Sequence, residues 1–116
     1  MTPSGHAAIG RAVESLGKTM AEVEETLLRE NIKGIANLCE NCVISRFVKR
    51  RTGLTVWVTH QEILTGQEIV RAKAGERFEK LPRYEYGLDS PIPGYIFLYD
   101  SGGCSSSLYE EEKKTP

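Results

Sequence analysis

What this chain lacks excludes more than its motifs assert. No apolar run approaches the roughly 18 residues that a membrane span needs, so no membrane partner is expected. The N-terminus has no basic segment followed by an apolar core, so no secretory leader is expected. Cysteine is scarce: three residues, an odd set, make a poor disulfide framework and fit reduced thiols in a cytoplasmic setting. Net charge is nearly absent at −1, which removes the whole-domain electrostatic footprint of a nucleic-acid or anionic-membrane binder. No phosphate-cradling glycine loop and no G-x-S-x-G elbow occurs. His60 has no nucleophile or carboxylate that spacing would place beside it. The expectation is therefore a protein that is not an enzyme and carries no cofactor.

What is present describes one small folded domain. Hydrophobic residues at 40% against charged residues at 27% are enough to build a core, which argues against wholesale disorder. Ile9, Ala12, Val13 and Leu16 repeat at helical spacing and predict a first helix near Ala7 to Leu16, stopped by Gly17. Thr19-Met20-Ala21-Glu22 is a capping box that opens a second helix, with Met20, Val23, Leu27 and Leu28 as its inner face. A third helix is expected over Leu38 to Arg51. It would turn Val43, Ile44, Phe47 and Val48 inward and leave Cys39, Cys42, Arg46, Lys49 and Arg50 on the other arc.

After Gly53 the period drops to two. Leu54 to Thr59 reads as a strand that presents Trp57 opposite its core face. Glu62 to Val70 reads as a tight hairpin about Thr65-Gly66, and Tyr95 to Tyr99 as a last strand. Ala72 to Lys80 is open between a short helix and a loop. The predicted class is α+β, three N-terminal helices packed on a small antiparallel sheet of three to four strands. Residues 1–100 form the expected globular domain, and 101–116 a flexible tail that is Ser/Gly-rich and acidic.

Three patterns carry candidate chemistry. Cys39-Glu40-Asn41-Cys42 is half of a zinc site, and only His60, His6 and Cys104 remain to complete it; the set considered is Cys39, Cys42, His60 and Cys104. The same pair at a helix start also fits thiol–disulfide exchange. Arg46, Lys49, Arg50 and Arg51 place four cations within six residues, and three helices followed by a hairpin follow the order of a winged helix. Against that reading, recognition helices meet bases near their N-terminal end, whereas these cations come last. Finally, Trp57, Tyr84 and Tyr86 are aromatic residues of the kind enriched at protein interfaces.

The string Leu16-Gly17-Lys18-Thr19, Glu22-Val23, Leu27-Leu28 and Ile32-Lys33-Gly34, continuing through Cys42-Val43-Ile44-Ser45-Arg46 and Val56-Trp57-Val58, resembles small uncharacterised actinobacterial proteins with relatives in phage genomes. The resemblance covers roughly residues 16–70 and rests on apolar spacing and glycines. It implies a compact α+β fold and brings no activity or functional residues with it. The leading expectation is a non-enzymatic protein-binding or regulatory protein whose partner is another protein. A phage-encoded modulator of a host process, acting in the host cytoplasm, is one instance. The alternatives are the nucleic-acid binder and the C-x-x-C zinc or thiol-redox protein.

Overall fold

The computed structural model describes residues 4–77 and 83–110. Three N-terminal helices, α1 (Ser4–Leu16), α2 (Met20–Arg29) and α3 (Val43–Thr52), pack against an antiparallel sheet of three strands, β1 (Val56–Val58), β2 (Glu62–Thr65) and β3 (Tyr84–Glu85). The expected α+β class stands. Two further helices, α4 (Gly66–Lys73) and α5 (Ile92–Asp100), and a 3-10 turn at Ser106–Leu108 also lie among the described residues. No helix among the described residues is long and apolar enough to cross a membrane.

The first two helices follow their sequence signals closely. Ile9, Ala12, Val13 and Leu16 are buried as one stripe, and Gly17 leaves α1 at φ 128°, a conformation open to glycine at little cost. The buried hydroxyl of Thr26 donates to the carbonyl of Leu16 at 3.0 Å and so satisfies an orphan acceptor at the end of α1. Thr19 caps α2 by accepting from the Glu22 amide at 3.1 Å, but the Glu22 carboxylate accepts from the Lys18 amide instead of closing the box on Thr19. Of the expected inner face, Val23 and Leu27 are buried, whereas Met20 and Leu28 stand about 40% exposed.

Four expectations are corrected. Helix α3 begins at Val43, not Leu38, because Asn37 takes a left-handed φ of 66° and a turn closed by Asn41 N–H to Leu38 O at 3.0 Å occupies the preceding residues. Thr65-Gly66 is not a hairpin turn. The β1–β2 hairpin turns at Thr59-His60-Gln61, and Thr65 is instead the N-cap of α4, with Thr65 and Glu68 forming a complete capping box. The segment Tyr95 to Tyr99 is helical, not a strand, since Ile92, Tyr95, Ile96 and Tyr99 bury one 3.6-period stripe. The ambiguous segment after Arg71 is helical to Lys73, and residues 78–82 lie outside the described residues.

The fourth correction concerns the expected tail. Leu108 is fully buried, the Gly34 amide donates to its carbonyl at 3.0 Å, and the Glu110 amide donates back to Gly34 O at 2.8 Å. Tyr99 donates to Leu108 O at 2.8 Å and stacks on Tyr109 with ring centroids 4.4 Å apart. The fold therefore runs through Glu110; the remaining acidic stretch, 111–116, lies outside the described residues.

The core is built on α3. Val43, Ile44, Phe47 and Val48 meet the α1 stripe on one side and Val56, Val58 and Ile63 of the sheet on the other. Helix α1 also meets α4 at His6, whose Nε2 lies 2.8 Å from the buried carboxylate of Glu68.

Candidate functional site

The basic end of α3 is largely engaged within the protein. Arg46 donates to Lys33 O at 3.0 Å and pairs with Glu110 at 2.7 Å. Arg50 donates to Glu30 O at 2.8 Å, and Arg51 pairs with the Glu30 carboxylate while lying over the Phe47 ring at 4.6 Å. These three arginines satisfy carbonyls and a carboxylate just beyond α2, so they hold the α2–α3 connection in place. Lys49 is exposed. The N-terminal end of α3, where base contacts are usual, is closed over: Cys42 and Val43 are buried, and Gly34 lies against the backbone of both.

The aromatic candidates are half-buried rather than presented to solvent. Trp57 donates its indole N–H to Glu40 at 3.2 Å, with the Lys73 ammonium 5.7 Å from the ring centroid. Tyr84 and Tyr86 meet edge to face at 5.9 Å against the core, and Tyr86 donates to Thr59 O at 2.8 Å. Trp57 sits at the junction with α4, while the two tyrosines brace the third strand.

The cysteines fall in two places. Cys39 and Cys42 line one cavity of about 270 Å³ together with His60 and Asp100. Cys39 is exposed on the turn, whereas Cys42 is buried and caps α3, its Sγ accepting from the Ser45 amide at 3.4 Å. This corrects the expectation that both thiols share an outer face. Burial pushes the Cys42 thiol up from its ordinary pKa, outweighing the lowering effect of the Ser45 hydrogen bonds. His60 is exposed and tilts against Phe97 at 4.8 Å. Cys104 lies elsewhere, beside Tyr95, Tyr109 and Glu24, and burial also raises its pKa. The zinc set Cys39, Cys42, His60 and Cys104 does not assemble; among the described residues no group of three or more His, Cys, Asp or Glu side chains is placed to hold a metal ion.

A site that the sequence reading missed lies between α2 and α5. Met20, Ala21 and Leu28 from one helix and Tyr95 and Leu98 from the other line an open groove of about 450 Å³, with Gly103 at one end. Its charged groups are Glu24 and Glu25. The Tyr95 hydroxyl donates to Glu24 at 3.1 Å, which fixes one carboxylate at the groove wall. The signal for this site was present: the apolar residues of α2 span a wider arc than one buried stripe uses. It stayed hidden because its other wall, α5, reads locally as a strand.

Compared with known proteins, the chain matches no family model, no curated protein and no solved structure.

Proposed function

We propose that the protein is a non-enzymatic interaction module that seats the apolar face of a basic amphipathic helix from another protein in the α2–α5 groove. The observation that carries this reading is the exposure of Met20 and Leu28, each about 40%, along a groove whose charged groups are both carboxylates. Apolar anchors beside acidic groups match a helix with leucine-like residues at i, i+3 and i+4 spacing and lysine or arginine at its flanks. The interaction is regulatory in kind, and the likeness to small actinobacterial and phage proteins makes a modulator of a host process one instance.

The test uses a fluorescein-labelled leucine–lysine amphipathic peptide and its leucine–glutamate counterpart, followed by anisotropy. Saturable binding of the basic peptide, loss of it in Leu28→Asp and weak binding of the acidic peptide are expected. Equal binding of both peptides, or binding indifferent to Leu28→Asp, overturns the groove. A shift assay with duplex and single-stranded DNA addresses the rival reading. Affinity that falls steeply with salt and vanishes in Arg50→Glu would make the protein a nucleic-acid binder instead.

A further inference from the structure

The C-x-x-C pair plays no part in the groove, yet the fold gives its two thiols different surroundings within one cavity. The cavity of about 270 Å³ is lined by both cysteines and bordered by His60 from the hairpin turn and Asp100 at the end of α5. Cys39 lies on the turn closed between Leu38 and Asn41, where solvent reaches it. Its backbone is not loose, because the Val58 amide donates to the Cys39 carbonyl at 3.0 Å and pins the turn to β1. Cys42 is 4% exposed, at the N-cap of a ten-residue helix whose Ser45 amide points at its sulfur. An incoming disulfide therefore meets Cys39 first. The second thiol waits behind it in the same cavity, held neutral by burial, with the Ser45 amide placed to stabilise the charge when its proton is lost.

We propose that Cys39 and Cys42 form a dithiol–disulfide exchange site for small disulfides, with Cys39 as the attacking thiol and Cys42 as the resolving thiol. In the first step the Cys39 thiolate attacks one sulfur of a low-molecular-weight disulfide RSSR. The RS–SR bond breaks, a Cys39–SR mixed disulfide forms, and one thiolate leaves to take up the proton that Cys39 gave to solvent. In the second step Cys42 loses its proton and attacks the Cys39 sulfur. The Cys39–SR bond breaks, the intramolecular disulfide forms, and the second RS⁻ leaves as RSH. The protein loses two hydrogens and two electrons, and one RSSR becomes two RSH. Asn37 fixes one part of the cavity wall, donating its amide to Asp100 Oδ1 at 2.9 Å.

The experiment incubates the full chain with oxidised glutathione, quenches with a maleimide and reads intact mass and peptide map. The expected product is two hydrogens lighter, linked Cys39 to Cys42, with Cys104 still free to alkylate. Cys42→Ser, which keeps a good N-cap side chain, is expected to trap one glutathione on Cys39, and Cys39→Ser to remain unmodified. A wild-type glutathione adduct that persists on Cys39, a linkage through Cys104, or a fully reduced protein at oxidant excess each overturns the proposal. So does a folded Cys42→Ser variant, verified by circular dichroism, that carries no adduct.

Discussion

Gly34 is the residue on which three parts of the chain converge. Its amide and carbonyl bracket the C-terminal segment through Leu108 and Glu110, and its α-carbon lies against the first turn of α3. A methyl group there would sit 2.4 Å from the Val43 nitrogen and 2.6 Å from the Cys42 carbonyl carbon, both backbone atoms that cannot rotate away. Gly34→Ala is therefore expected to cost about 1–3 kcal/mol, the range for overpacking a tight site. Urea unfolding should show a lower midpoint at unchanged slope; a midpoint equal to wild type would mean that the helix and the connector separate freely. Leu108 poses the complementary question. As a fully buried side chain in a stretch whose composition reads as linker, Leu108→Ala should cost about 2–5 kcal/mol. A cost near zero would return residues 101–110 to the status of a tail.

Among the elements, α4 shows how local chemistry overrides a pattern. Thr65 accepts from the Glu68 amide at 3.3 Å while Glu68 accepts from the Thr65 amide at 2.9 Å, so each residue donates once and accepts once. Thr65→Ala should cost about 0.5–2 kcal/mol and reduce the helical signal in far-ultraviolet circular dichroism. Thr65→Ser should restore most of it, and equal stability of the two variants would show that the cap is idle. The T-x-x-E signature that marked α2 was therefore legible here as well, but the β-branched and apolar residues on either side of Thr65-Gly66 favoured a hairpin reading. In α5 the conflict was of the same kind: Tyr, Ile and Phe favour strands by propensity, while burial of Ile92, Tyr95, Ile96 and Tyr99 obeys the helical period. Periodicity found α1 and the inner face of α3 because each is a single stripe facing a single core, and it found α2 while grouping the exposed Met20 and Leu28 with the buried Val23 and Leu27. It could not show that Arg46 and Arg50 serve carbonyls of the α2–α3 connection, since those acceptors lie 13 and 20 residues away. Nor could it place Cys39 and His60 in one cavity, which requires knowing that β1 returns beside the turn before α3.

At the scale of the whole molecule, three phenols tie segments distant in the chain or separate in the fold. Tyr86 links the segment after β3 to the hairpin turn through Thr59 O, Tyr95 links α5 to α2 through Glu24, and Tyr99 links α5 to the C-terminal segment through Leu108 O. In each case the hydroxyl hydrogen is the one donated, so ionisation destroys the tie and leaves a charge where burial has removed its hydration. Burial accordingly raises all three above the ordinary tyrosine value, with the Glu24 carboxylate adding to the effect at Tyr95. In the unfolded chain the same groups ionise near pH 10. Above that pH the unfolded state binds fewer protons than the native state, and stability must fall as pH rises, by at most about 1.4 kcal/mol per pH unit for each phenol. The contribution of the neutral phenols is complete below the unfolded value and is lost progressively toward the raised native values. Cys42, raised in the same direction, adds an onset nearer pH 9. Because the three ties lie in different parts of one small domain, alkaline loss should appear as one cooperative transition detected equally by Trp57 fluorescence and by far-ultraviolet circular dichroism. Urea midpoints measured from pH 7 to 11 should stay level and then drop, and Tyr86→Phe should make the drop shallower while leaving most of the stability at pH 7. Midpoints that hold level past pH 11, or a Tyr86→Phe profile parallel to wild type, would show that these hydroxyls are not what ties the hairpin turn, the α2–α5 pair and the C-terminal segment in place.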